Sequence, residues 1–296
     1  MSARSMVTRW GTLLMLLFML APPARPHGDD EMVERFNVMV RRNLDHDLVL
    51  SSATIDSVMQ TMAGKSLGER TAAWARYFLE RGDVQYLYGR AEGGYVSRGL
   101  LALDYATDCV LFMYRTTELA RSTTAEEAIQ FAFGTRFYGA SVEHAVKDDG
   151  RVDYDDPAVL QFAEDMLKSG VWGRDVTAEC GSTTLDAVGS SRVPADTLSY
   201  LPTNNIAYER LEPGDIVWFV GDENRPGALE ERVKGTLIHH LGIIARENGE
   251  AMLIHPASIP MPGEYEQTGV ARVPLRTYLT RVGKFKGVLV TRLVEF

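Results

Sequence analysis

His239-His240-Leu241-Gly242-Ile243-Ile244-Ala245-Arg246-Glu247-Asn248-Gly249-Glu250-Ala251-Met252-Leu253-Ile254-His255-Pro256-Ala257 is the stretch that decides how this chain folds. Asn-Gly between two apolar runs is the strongest short-range hairpin signal, because both central residues of the tight turn must take positive φ. A two-residue loop there pairs Glu247 with Glu250 and, counted outward, puts Gly242 opposite His255 and His240 opposite Ala257. Side chains alternate along a strand, so His240, Gly242 and Ile244 share a face with Leu253, His255 and Ala257, whereas His239 points the other way. His240 and His255 become diagonal neighbours with Cβ atoms roughly 7 Å apart or less, and Gly242 leaves room for the two rings. A register slip of one residue would exchange His240 for His239.

Around this hairpin the second half of the chain reads as strands: Ile216 to Val220, Leu241 to Ala245, Ala251 to Ile254 and Val288 to Leu293, each bounded by turn residues. The first half reads as helices. Met32, Phe36, Met39 and Val40 share a stripe, Ser51 and Ser52 offer caps for Ala53 to Met62, and Leu67 to Glu80 runs on to Gly82. Helices first and an antiparallel sheet afterwards is an α+β arrangement. Between Tyr86 and Gly99 lies a Gly-rich loop, which permits close approach of a ligand but lacks the glycine spacing and Lys of a phosphate cradle. Thr124 to Gly170 stays mostly helical around an acidic loop at Lys147 to Asp156, and Cys180 to Asn205, rich in Ser, Thr, Gly and Pro, reads as a long surface loop.

Cys109 opens a helix that runs to Ala120, with Thr107 or Asp108 as its N-cap. The exposed N–H groups and dipole of a first helical turn favour an anion, so a cysteine there is suited to thiolate chemistry. A cysteine on a helix is by itself more often a small apolar core residue. Two facing histidines beside it make the pattern of nucleophile, base and orienter. Zinc on the histidine pair would need a third ligand, and the other thiol, Cys180, begins the Ser/Thr-rich loop. A Cys109–Cys180 disulfide is the ordinary alternative in an exported chain.

Export is expected because Arg4 and Arg9 precede the apolar run Gly11 to Ala21 and the breakers Pro22, Pro23 and Ala24, the order of a secretory signal. That run, about eleven residues long, is too short to span a bilayer. The expected division is a signal at 1–24, a helical segment at 25–66 and a catalytic domain at 67–296, in a periplasmic or secreted protein without stable membrane insertion after cleavage. With 31 basic against 40 acidic residues, a net charge of -9 and no basic run, nucleic acid is not an expected partner. No cofactor motif is present.

Pieces of the chain resemble, in order, the N-acetylmuramoyl-L-alanine amidase-like family, a branch of the papain-related, NlpC-type cell-wall cysteine peptidases. They are Gln85-Tyr86 before the Gly-rich loop, Leu103-Asp104 leading to Thr107-Asp108-Cys109, Gly173 to Thr177, Leu211-Glu212-Pro213-Gly214-Asp215-Ile216-Val217, His239 to Ile243, Leu253 to Ser258, Leu275 to Leu279, and Lys286 to Arg292. The resemblance implies a papain-like fold whose N-terminal helices carry the nucleophile against an antiparallel sheet. It also implies that Cys109 attacks an amide carbonyl, His240 carries the proton and His255 orients His240. Tyr86, with Asp108 beside the nucleophile, falls in its oxyanion and substrate-binding region. The implied substrate is peptidoglycan or a muropeptide. Gln85 and Pro256 stand where the family often has Pro and Ala, and both touch the pocket wall. Two other functions use the same residues: acyl hydrolysis or transfer on a lipid or other amide, and a non-catalytic wall-binding module.

Overall fold

Asn248 and Gly249 both take positive φ, 49° and 83°, and Glu247 pairs with Glu250 across them. From this turn a hairpin grows into a mixed α+β molecule, seen in a computed structural model that describes residues 27–160, 163–188, 197–222 and 236–295. The expected signal peptide at 1–24 lies outside the described residues. The helical half comprises α1 (His27–Leu44), α2 (Ser52–Thr61), α3 (Leu67–Arg81), β1 (Gln85–Tyr86), α4 (Tyr95–Arg98), β2 (Ala106–Thr107), α5 (Cys109–Arg121), α6 (Ala125–Arg136), α7 (Val142–Ala145) and α8 (Ala163–Ser169). The strand half comprises β3 (Arg174–Asp175), β4 (Leu185–Val188), β5 (Thr197–Pro202), β6 (Ile216–Gly221), β7 (Ile238–Glu247), β8 (Glu250–Ala257), β9 (Gly269–Pro274), α9 (Leu275–Val282) and β10 (Phe285–Arg292).

The large sheet runs β4-β5-β10-β6-β7-β8-β9 with β3 also on β10, and its pairs are antiparallel. Alternation divides its side chains between two cores. Trp218, Ile243, Ile254 and Leu289 pack with Trp74 and Phe78 of α3 and Phe112 and Met113 of α5. Val217, Phe219, Ile244, Leu253 and Val288 pack with Leu275, Tyr278 and Leu279 of α9. Each large apolar side chain fully buried in this way contributes roughly 1.5–3 kcal/mol. A third core joins Met39 and Val40 of α1 to Leu101, Leu111, Ile129 and Phe133. Asn43 fastens α1 further, accepting the Leu101 and Ala102 N–H groups at 2.7 and 3.2 Å. The helical segment ahead of residue 67 is therefore packed onto the rest.

Local chemistry sets the element ends. Ser66 and Glu69 form a reciprocal capping box at the start of α3, and Gly82 ends that helix in the left-handed region. In Pro213-Gly214-Asp215, Gly214 has φ +85° and packs its backbone against Gly68, where a Cβ would lie 2.3 Å from the Gly68 carbonyl. Asp215, buried, then accepts from Glu212 N–H at 2.8 Å and pairs with the Arg292 guanidinium, tying β6 to β10. Two buried ion pairs tie the helices. Arg115 meets Asp104 at 2.8 and 2.9 Å, and Arg136 meets Glu118 at 2.7 and 2.6 Å while also donating to the Tyr154 hydroxyl.

The structure departs from the sequence reading in three places. Cys180 to Asn205 is not simply a surface loop: Leu185 to Val188 pairs with Thr197 to Tyr200, and β5 continues onto β10. Cys180 itself is 0 % exposed. Strand β9, hidden by its alternation with polar Arg272, pairs with β8 along six residues from Gly269 to Pro274. Between α7 and α8 the acidic loop expected at Lys147 to Asp156 takes the form of turns and a short bridge from Val146 to Val152, and it continues to residue 160 rather than ending at Asp156.

Candidate active site

The hairpin register is the expected one, from Glu247↔Glu250 to Ile243↔Ile254. One step further, a Cβ on Gly242 would lie 3.1 Å from the His255 Cβ and 2.4 Å from Leu253 Cδ1, so only glycine lets the two strands approach here. The recorded pairing does not extend to His240 and Ala257, and the imidazoles close that end instead: His240 Nε2 lies 2.9 Å from His255 Nδ1 with the rings nearly perpendicular at 89°. On its other side β7 meets β6 through a bulge, because Phe219 pairs with His240 and Val220 with Ile238. His239 is the extra residue. Its ring covers Gly221 and its Nε2 sits 2.9 Å from the Thr236 carbonyl, so it does not join the pair. Buried Glu164 of α8 accepts from the Leu237 and Ile238 N–H groups and anchors the entry to β7.

The imidazoles are enclosed by rings. Phe219, Tyr278 and Phe285 surround His240 at centroid distances of 5.5, 5.9 and 6.4 Å. Tyr278 and Tyr265 lie 4.6 and 5.8 Å from His255. Burial, reinforced by His255 and the Lys284 ammonium, holds His240 well below the ordinary imidazole value. Burial takes His255 down to about 3, with the Pro256 backbone opposing and Lys284 assisting. Both rings are neutral near pH 7. Because His240 Nε2 faces His255, its Nδ1 is the nitrogen left for a further proton partner, provided that Nε2 carries the hydrogen.

Cys109 is the first residue of α5, half-buried and not in a disulfide. Asp108 caps the helix: one carboxylate oxygen accepts from Val110 and Leu111 N–H at 3.0 and 2.8 Å, and the other accepts from Gly89 N–H at 2.9 Å. Asp108 is 4 % exposed. Its carboxylate thus locks the Gly-rich loop onto the helix start. Tyr86 is brought alongside by the parallel pair β1–β2, in which it is the register partner of Thr107, two residues before Cys109. α5 packs on β7 and β8. Tyr278 stands against both imidazoles, its ring 5.9 Å from that of His240 and 4.6 Å from that of His255.

Cys180 is different in kind. Burial, with Asp215 close by, pushes its thiol up to about 11. Neither cysteine forms a disulfide. Among the described residues no group of three His, Cys, Asp or Glu side chains could hold a metal ion, and no helix is long and apolar enough to cross a membrane. A cleft of about 550 Å³ lies between the end of α3 and β9, with Phe78, Val84, Tyr265, Thr268, Ala271 and Arg272 in its wall, and neither the histidines nor Cys109 line it. Tyr265 contacts His255 and Ala271 is its register partner on β9. Phe219, Tyr265, Tyr278 and Phe285 were not singled out by the sequence; only the Leu275 to Leu279 piece pointed near one of them.

The chain matches no family model and no curated protein. Solved structures do resemble it. An N-acetylmuramoyl-L-alanine amidase from Bacteroides uniformis superposes with a TM-score of 0.54 at 18% identity, covering 76% of this chain and 98% of its own. Protein LPG0564 from Legionella pneumophila, of the family DUF1460, gives 0.57 at 15% identity over 81% of this chain and 93% of its own. The chain shares their fold. A candidate xylanase from Bacteroides fragilis gives 0.51 at 18% identity, over 71% and 96% of the two chains. At these identities the likeness concerns architecture, and the differing names show why it does not carry a reaction with it.

Proposed function

We propose that the chain is an exported cysteine amidase or endopeptidase of papain-like, NlpC type that cuts an amide bond in peptidoglycan. The bond lies within the stem peptide or between N-acetylmuramic acid and L-Ala. The observation that carries the reading is the contact of 2.9 Å between buried His255 and half-buried His240, both neutral, on the sheet that packs against the Cys109 helix. A neutral His240 can accept the thiol proton, and His255 fixes which nitrogen does so. Sulfur then attacks the carbonyl, the amine leaves with the proton from His240, and water releases the acyl group. The Cys109 N–H and Tyr86 belong to the oxyanion region in this reading. The fold shared with the Bacteroides uniformis amidase supports murein as substrate, and the charge pattern at Arg4 to Ala24 supports a periplasmic or secreted place of action.

Digestion of purified sacculi, followed by mass analysis of the fragments, tests the reading. Wild-type protein should release peptides or shortened stems, and Cys109→Ser should be folded and inactive because volume is kept and the thiolate lost. Sacculi left intact by the wild type, or cut equally by Cys109→Ser, would refute it.

A further inference from the structure

Tyr278 sits on the buried stripe of α9 with Leu275 and Leu279 and is 5 % exposed. Its ring is wedged among His255 at 4.6 Å, Phe219 at 5.3 Å, His240 at 5.9 Å and Phe285 at 6.1 Å. A buried tyrosine ordinarily spends its hydroxyl on a hydrogen bond. Among the described residues the Tyr278 hydroxyl makes none, and it is not one of the polar atoms shut away from solvent without a partner. The buried ring therefore delivers a donor that stays accessible at the site. Burial first, then Tyr265, then the Cys109 thiolate keep its proton on well above the ordinary phenol range. The phenol is thus held beside both imidazoles and keeps its proton near neutral pH.

We propose that the Tyr278 hydroxyl is a catalytic hydrogen-bond donor to the carbonyl oxygen of the acyl group that Cys109 attacks. The assignment rests on Cys109 being the nucleophile, as above, and adds a donor from the C-terminal half of the chain to those near Tyr86. In the step itself a bond forms from Cys109 Sγ to the carbonyl carbon, and the C=O π pair moves onto oxygen, where the Tyr278 O–H meets it. The pair returns as the C–N bond breaks, and the amine leaves with the proton that His240 took from the thiol. The phenol proton stays on tyrosine throughout.

Tyr278→Phe in the full chain separates the hydroxyl from the ring, because phenylalanine keeps the packing against both imidazoles. Two readouts are needed: hydrolysis of p-nitrophenyl acetate and of a purified muropeptide, and alkylation of Cys109 by iodoacetamide. Alkylation displaces iodide at a saturated carbon and builds no oxyanion. Loss of one oxyanion donor lowers kcat on the order of 100-fold or more. That loss is the expected result for both substrates, with KM little changed and alkylation at the wild-type rate. Wild-type hydrolysis by Tyr278→Phe would overturn the assignment. So would a matching fall in alkylation, since the hydroxyl would then act on the thiol and imidazoles instead of the substrate. If the wild type leaves the muropeptide intact but p-nitrophenyl acetate hydrolysis depends on Tyr278, murein is the wrong substrate and the donor stands.

Discussion

Acidification should remove the stability that a neutral, buried His255 supplies, and the size of the loss follows from its surroundings. In the unfolded chain the imidazole takes a proton near its ordinary 6.5, whereas in the folded protein it does so only near 3. Between those values the unfolded state binds the extra proton, so the stabilisation is complete above 6.5 and is lost progressively as pH falls toward 3. Each pH unit inside that window costs up to about 1.4 kcal/mol, so moving from pH 8 to pH 5 should cost about 2 kcal/mol from His255 alone. His240 is shifted in the same direction and adds to the total. His255→Asn isolates the contribution, because an Asn amide reaches the place of Nδ1, which is the nitrogen bonded to His240, and does not titrate. Urea unfolding of both proteins at pH 8 and pH 5 measures the difference. The wild type should lose about 2 kcal/mol more than the variant on acidification. Equal losses would mean that His255 is protonated in the folded protein at pH 5 and that the neutral pair is an incorrect description.

The bulge at His239 predicts that His240→Ala abolishes turnover while His239→Ala keeps most of it, measured as muropeptide hydrolysis; the reverse would move the base to His239. Because contact to His240 runs through His255 Nδ1, His255→Asn should retain part of the activity, His255→Gln less and His255→Ala least. The same assays with a chelator should leave wild-type activity unchanged, and chelator sensitivity without Asn rescue would favour a metal site over a triad. Iodoacetamide at neutral pH should label Cys109 faster than Cys180, whose buried thiol stands at about 11; equal or reversed labelling, read by peptide mass, would contradict this. Arg136→Met leaves the Glu118 carboxylate buried without its partner and should cost about 3–5 kcal/mol in urea unfolding. The double variant Arg136→Met, Glu118→Leu should recover most of that loss if the cost is the unpaired charge.

The parts of this molecule written in neighbouring residues were legible in the sequence. The Asn248-Gly249 turn needs two positive φ angles, and strand alternation from that turn carries His240 and His255 to one face without reference to the rest of the chain. The α5 start at Asp108-Cys109 is equally local, since a cap is a contact between a side chain and N–H groups two and three residues on. Distant partners decided the remainder. β4 and β5 are strands because β10, almost a hundred residues away, offers an edge to pair with, and nothing in the Ser, Thr, Gly and Pro of the stretch around them announces it. The second carboxylate oxygen of Asp108 is committed to Gly89, which only the loop's return to the helix can show. His239 is set aside by a bulge that exists only as a mismatch between β6 and β7. The aromatic enclosure of the histidines draws Phe219, Tyr265, Tyr278 and Phe285 from four separate segments. Sequence pattern reports the angles and faces available to a short stretch; which stretches meet, and therefore how far an imidazole is removed from water, is settled by the packing of the whole chain.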